Sequence, residues 1–216
     1  MRNAADRSRS MFIAAFCGSL LLPLASHAAD SSAPVQAGWK TQEIRYSYIG
    51  FTTAYDCDAA ADRIKAILKA LGAHEQTRVS AQGCEFNRPS RNFFITITTA
   101  TPVPVADLSK SPAQTSRDEL LKRLGVASAQ LDETFPAEWK TVELSRDRKL
   151  DLEPGDCELM EGLRDHVLPK LSVKIQADRV QCIPRQVSYQ TPELTVSALV
   201  PMKKPDAAAA SDKTKS

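Results

Sequence analysis

The hydrophobic and polar positions of the chain follow the same order in two segments that lie one hundred positions apart. Residues 37–44 read AGWKTQEI and residues 137–144 read AEWKTVEL, so five of the eight positions are identical. In both segments apolar and polar residues alternate and strand-forming residues are frequent, which predicts a β-strand in each. A match at a fixed offset indicates an internal repeat.

A helical spacing of apolar residues follows each predicted strand. Asp56 and Asp156 stand where a helix N-cap is expected, and Gly72 lies just past the end of the first helix. Pro169 predicts a kink or an early end of the second helix, because proline removes an N–H donor and clashes with the preceding turn. The apolar positions are Ala60, Ile64, Ile67, Leu68 and Leu71 in the first helix, and Met160, Leu163, Val167, Leu168 and Leu171 in the second.

Two more strands complete each segment, one near Val79 or Val180 and one over residues 93–99 or 194–200. The predicted fold is therefore α+β, a tandem duplication of a β-α-β-β unit, with one disulfide in each unit and the units related by pseudo-twofold symmetry. The pattern leaves open whether the two units share one sheet or pack as separate domains.

The predicted domain boundaries follow from this repeat. The first repeat spans residues 35–103 and the second spans residues 135–202. The linker at 104–134 contains a capping box, Ser116 to Glu119, that predicts the start of a short helix. Residues 203–216 are rich in Ala, Lys, Asp and Ser, a composition typical of a disordered tail.

The N-terminus has the order of a secretory signal peptide. An arginine-bearing segment, residues 1–10, precedes an apolar run over residues 11–24, and Ser26-His27-Ala28 supplies small residues for cleavage after Ala28. The run is short for a membrane span, so an uncleaved anchor is the weaker alternative. The predicted location is the periplasm or the external medium, with no membrane segment after cleavage.

The net charge of the chain falls to zero once the predicted leader is removed. The whole chain has 28 Lys and Arg against 26 Asp and Glu, and removing the three arginines and one aspartate of residues 1–28 leaves 25 of each sign. A neutral chain lacks the basic surface that nucleic-acid binding requires. No nucleic-acid partner is therefore expected.

The cysteines agree with export. Cys17 leaves with the predicted leader, and the even number that remains, Cys57, Cys84, Cys157 and Cys182, is typical of disulfides in an oxidising compartment. Alignment of the two repeats predicts the pairs Cys57–Cys84 and Cys157–Cys182. Pairing across the repeats is the alternative.

No catalytic or cofactor motif is present. His74 and His166 lie outside zinc-binding spacings, and both are interpreted as helix-surface or solvated residues. The chain contains no C-x-x-C, no G-x-S-x-G, no S-x-x-K and no glycine-rich phosphate loop. No cofactor and no metal are expected.

The two repeats differ most between the first strand and the helix. The first repeat has a candidate binding surface of aromatic residues, Tyr46, Tyr48, Phe51 and Tyr55, where the second has residues 146–150, RDRKL. Aromatic side chains anchor partners and sugar rings, and duplicated units often diverge where they bind. The alternative is ordinary packing of these rings in the core.

Three functional hypotheses follow. The first is an exported, non-enzymatic binding or accessory protein of the bacterial envelope, whose partner is another envelope protein or a small ligand. The second is a periplasmic hydrolase that uses carboxylates or a Ser/His pair in a cleft between the repeats. The third is a thiol-linked folding factor, which requires a reducible cysteine pair. The oligomeric state does not follow from the sequence.

Overall fold

A computed structural model describes residues 33–84, 88–108, 114–126 and 133–202, with the backbone alone described for residues 114–118. The predicted signal peptide and the C-terminal tail lie outside the described residues.

The strands of the described residues form one antiparallel sheet of six, in the order β2-β3-β1-β4-β6-β5. A single sheet thus joins the two halves, and the predicted α+β class is confirmed. The strands are β1 (Val35–Ile49), β2 (Arg78–Gln82), β3 (Asn92–Pro104), β4 (Phe135–Glu143), β5 (Val173–Arg179) and β6 (Glu193–Pro201).

The helices lie where the apolar spacing predicts them. Gly72 follows the first long helix with a φ of 85°, a left-handed conformation that glycine adopts without steric cost. The last long helix ends at His166, ahead of Pro169, and a short 3-10 turn follows. The helices are α1 (Cys57–Ala70), α2 (Val105–Leu108), α3 (Gln114–Leu124) and α4 (Cys157–His166).

The sheet has a different cover on each face. The face that carries Ile44, Tyr46 and Tyr48 packs against α1 and α4 in one continuous core that draws on both halves of the chain. On the opposite face, α3 covers Trp39 and Ala100 of the first half. Alternation along β1 produces this division, because successive side chains of a strand point to opposite faces.

The last strand of the first half is longer than predicted. β3 runs to Pro104 rather than Thr99, and Pro102 pairs with Trp39. β2 pairs with Phe94–Thr98 only. The register places the nitrogens of the two prolines on the side of β3 away from β1, so the missing N–H groups cost the β1–β3 ladder nothing.

The connecting helix begins earlier than predicted. α3 starts at Gln114, so Ser116 lies inside the helix and the expected capping box does not mark its start. The end of the helix is confirmed, since Gly125 follows Leu124 with a φ of 70°.

Both predicted disulfides are present. Cys57 bonds Cys84 and Cys157 bonds Cys182, with sequence separations of 27 and 25 residues. Each bond ties the first residue of a long helix to the segment after the following strand. Pairing across the halves is excluded by this arrangement.

Removing the first disulfide should lower stability measurably. In the chain-entropy account, closing a loop of this size contributes about 3–4 kcal/mol, so we expect the Cys57→Ala/Cys84→Ala variant to lose about that much free energy of unfolding. Urea unfolding followed by circular dichroism measures it as a lower midpoint. A loss below about 1 kcal/mol would show that the disulfide does not restrict the unfolded chain as that account requires.

His74 is half-buried rather than freely solvated, which corrects the sequence interpretation. Its ring meets Trp39 edge-on with centroids 5.0 Å apart, and its Nδ1 accepts a hydrogen bond from the Gln76 N–H at 3.3 Å. Burial lowers the pKa of His74 from its ordinary value of 6.5. The folded protein therefore favours the neutral imidazole.

This burial predicts a loss of stability on mild acidification. Below a pH of about 6.5 the unfolded chain binds a proton at His74 that the folded chain resists, so stability is full above that pH and falls as the pH decreases. We expect the His74→Asn variant to show a flatter dependence of melting temperature on pH between about 5 and 7. Equal slopes for the two proteins would contradict the assignment.

Candidate functional site

The β1 strand has one open edge beyond its short contact with β4. β4 pairs only with Val35–Ala37, while β3 accompanies β1 along its whole length to Ile49. From Gly38 onward, the described residues place no strand on the side of β1 that faces away from β3.

The register identifies which backbone groups face this edge. The Gly50 N–H donates to the Arg91 carbonyl at 2.7 Å, in the same register as the β1–β3 pairs. Hydrogen-bonded and non-hydrogen-bonded pairs alternate in an antiparallel ladder. Even-numbered residues of β1 therefore bond to β3, and the N–H and C=O groups of Arg45, Ser47 and Ile49 point to the open edge.

A cavity of about 280 Å³ lies beside the C-terminal end of this edge, at residues 47–49. It forms between the end of β1, the following turn and one face of α4, with one side closed by the segment that carries Cys182. Its lining therefore comes from both halves of the chain. The lining residues are Ser47, Tyr48, Ile49, Phe51, Glu158, Glu161, Gly162, Asp165, His166, Cys182 and Pro184.

The α4 wall of the cavity is acidic. Glu158, Glu161 and Asp165 recur at spacings of three and four residues, which puts them on one helix face. Arg164 binds Asp165 with both ends of its guanidinium, at 2.7 and 3.2 Å, and this hydrogen bonding lowers the pKa of Asp165. The carboxylate is thus ionised at neutral pH.

Glu158 holds the turn after β1 in place. Its carboxylate accepts hydrogen bonds from the backbone N–H groups of Phe51 at 3.0 Å, Thr52 at 3.2 Å and Thr53 at 3.4 Å. Three N–H groups converging on one carboxylate fix a turn of the first half against the first turn of α4.

Asp156 also joins the two halves, which the sequence did not predict. Both Asp56 and Asp156 occupy N-cap positions, yet neither side chain makes a capping hydrogen bond. Asp156 is 2% exposed and accepts hydrogen bonds from the Tyr55 hydroxyl at 2.6 Å and the Glu153 N–H at 2.7 Å, and it pairs with Arg63. Burial first, and the hydrogen bond to Asp156 second, raise the pKa of Tyr55, so its hydroxyl is the donor.

The structure separates the four residues of the predicted aromatic surface. Tyr46, Tyr48 and Tyr55 are buried in the core, whereas Phe51 is 57% exposed. Tyr48 and Phe51 line the cavity, and Tyr46 lies beneath it with its ring stacked 5.8 Å from His166. Binding at this surface stays a prediction, and Phe51 is its exposed member.

Sequence reasoning missed the carboxylates of the α4 wall. Their spacing was visible, but a charged helix face is usually solvated, so the pattern alone does not indicate a site. The structure shows that this helix face and the end of β1 line the same cavity.

A second cavity, of about 520 Å³, is lined by Cys157, which is bonded to Cys182 of the first cavity. Apart from Cys157, its lining comes from a single segment between Arg179 and Pro192, which includes the exposed Tyr189. It brings together fewer parts of the chain than the cavity beside β1.

The β1 cavity is a partly apolar cleft with one acidic wall. Among the described residues, no three His, Cys, Asp or Glu side chains are arranged to hold a metal ion. Ser47 and His166 share the cavity, but no hydrogen bond joins them in the part of the chain that is described. A serine nucleophile needs such a base within hydrogen-bonding reach.

No protein-family model, curated protein or solved structure matches this chain. Of the helices in the described ranges, none combines the length and the apolar character that crossing a membrane requires.

Proposed function

We propose that this chain is an exported, non-enzymatic binding or accessory protein of the bacterial envelope, and that the cavity beside β1 is its binding site. The observation that carries the proposal is the convergence at one cavity of an open strand edge, an exposed aromatic side chain and an acidic helix face. Ligand sites are typically concave, with an apolar lining and a few oriented polar groups.

The proposed scaffold is a tandem duplication with pseudo-twofold symmetry, over the predicted repeats 35–103 and 135–202. In its support, the strand order β2-β3-β1-β4-β6-β5 reads the same for the two halves outward from the central β1–β4 pair. The central register pairs Val35 with Ala137 and Ala37 with Phe135, positions that exchange under the offset of one hundred residues. Only the first half extends its first strand to form the cavity.

Export is supported by two independent features. The order of polar, apolar and small residues in 1–28 is that of a Sec-type leader cleaved after Ala28. Two disulfides fit an oxidising compartment, such as the periplasm or the external medium. With all four of these cysteines oxidised, a thiol-linked folding activity is the least supported hypothesis.

Site-specific photocrosslinking in living cells tests the proposal. A benzophenone amino acid replaces Phe51 in one strain and Tyr189, which is 91% exposed at the other cavity, in a matched control. We expect a recurrent crosslinked product from position 51 and none from position 189. Products from position 189 alone would move the site to the larger cavity.

The hydrolase hypothesis is kept as a second candidate, because Ser47 and His166 line the same cavity. A fluorophosphonate probe labels activated serines, so we expect no labelling of the folded protein. Labelling that the Ser47→Ala variant abolishes would replace the binding proposal by a catalytic one.

A further inference from the structure

We infer that the site takes an extended, basic peptide segment of a partner protein, which adds to the open edge of β1 as a further strand. This inference rests on the proposed function and names the class of its ligand. Strand addition supplies affinity through main-chain hydrogen bonds and specificity through alternate side chains.

The backbone of β1 provides the template. The N–H and C=O groups of Arg45, Ser47 and Ile49 point to the open edge, and all three residues are exposed. Unpaired strand edges readily bond to another extended chain. An added strand of five residues would cover this stretch.

The charges around the site determine which side chains of an added strand would bind there. On the α4 side, Glu161 and Asp165 face the cavity. Arg164 does not line the cavity but pairs with Glu161 at 3.5 Å and with Asp165 at 2.7 Å, so the three side chains together keep a formal charge of minus one. Arg45 is a cationic neighbour at the edge itself, and it shares the carboxylate of Glu43, 2.5 Å away, with Arg123. Alternate basic side chains of the peptide would therefore meet the carboxylates of α4.

Apolar side chains of the same peptide have a matching surface. Ile49 is 62% exposed and Phe94, its diagonal neighbour on β3, is 67% exposed. Cross-strand diagonal pairs lie close enough for large side chains to touch. The proposed ligand therefore alternates basic and apolar residues.

The outer edges of the sheet are poorer templates. β5 carries a bulge between Ile175 and Ala177, and β2 is only five residues long. Bulges and short strands are the usual means by which sheets block further pairing. The open stretch of β1 belongs to a strand of 15 residues whose pairing with β3 has no register shift.

Fluorescence anisotropy with defined peptides tests this inference on the intact chain. The probe is a labelled eight-residue peptide of alternating Lys and Val, and the matched control alternates Glu and Val. We expect saturable binding of the basic peptide that weakens as salt increases, and no binding of the acidic one.

Backbone methylation of the peptide distinguishes strand addition from simple charge attraction. Methylating the backbone nitrogen of every Lys blocks one edge of the peptide, and methylating the backbone nitrogen of every Val blocks the opposite edge. One pattern should therefore weaken binding by about tenfold or more, and the other should not. A tenfold loss of affinity corresponds to about 1.4 kcal/mol of lost hydrogen bonding. Equal affinity for the two patterns would overturn strand addition.

Variants of the protein provide the second arm. Ser47→Pro removes one donor from the open edge, whereas Ser47→Ala keeps it, so only the proline variant should lose binding. Glu161→Gln should weaken the basic peptide and reduce its salt dependence. The methylated peptides keep the test valid if the proline variant does not fold.

The outcomes separate this inference from the function that it rests on. Crosslinks at position 51 with no binding of either peptide would leave a binding protein with another ligand and overturn the peptide inference. Concentration-dependent dimerisation that Ser47→Pro abolishes would show that the edge pairs with a second copy, and it would also overturn the inference.

Discussion

Replacing Tyr46 and Tyr48 together by serine is expected to unfold the protein rather than to remove binding selectively. Tyr46 is 8% exposed and Tyr48 is 2% exposed, and both belong to the shared core. Removing a large aromatic side chain from a core costs about 3–5 kcal/mol, and a typical domain has only about 5–15 kcal/mol of stability in total. Circular dichroism should show loss of the native spectrum in the double variant.

The phenylalanine variants separate the ring from the hydroxyl. Among the described residues, the buried Tyr46 hydroxyl has no hydrogen-bond partner, so Tyr46→Phe should be neutral or slightly stabilising. The Tyr48 hydroxyl donates to the Thr53 carbonyl at 3.0 Å, so Tyr48→Phe should cost about 1 kcal/mol. A folded, non-binding Tyr46→Ser/Tyr48→Ser variant would contradict core packing and restore the predicted aromatic surface.

The predictability of this fold from its sequence has a physical basis. Each long helix follows from the spacing of apolar residues within its own segment, and the disulfide pairs follow from the alignment of Cys57 with Cys157 between the two segments. The last strands show the limit of this approach. Sequence alignment sets Ile97 against Val196, whereas the pairing with β1 and β4 sets Thr99 against Val196. A shift of two residues keeps every side chain on its face, so the hydrophobic pattern cannot detect it.

The candidate site was harder to predict because it arises from contacts between the halves. The sequence indicated where the two halves differ, at residues 46–51 and 146–150. It did not indicate that the difference is between a continued strand and a 3-10 turn at Leu144–Arg146. Nor does any local pattern reveal that α4 lies beside the extension of β1, because that placement depends on long-range packing.

Asp156 also depends on long-range contacts, and replacing it should destabilise the protein strongly. We expect Asp156→Ala to lower the free energy of unfolding by about 3–5 kcal/mol, because breaking a buried pair leaves the other charge without its partner. The side chain of Arg63 is only 26% exposed, and the Tyr55 hydroxyl would lose its acceptor as well.

Asp56 is the matched control for this prediction. It occupies the corresponding N-cap position in the first half, but its side chain is exposed and makes no capping hydrogen bond. Asp56→Ala should therefore change the urea midpoint little, while Asp156→Ala should shift it strongly. Equal effects would show that both aspartates act through the helix N-terminus, and that the contact of Asp156 with Tyr55 and Arg63 does not hold the two halves together. An effect confined to Asp156 would show that this buried carboxylate, through Tyr55 and Arg63, stabilises the packing of the two halves.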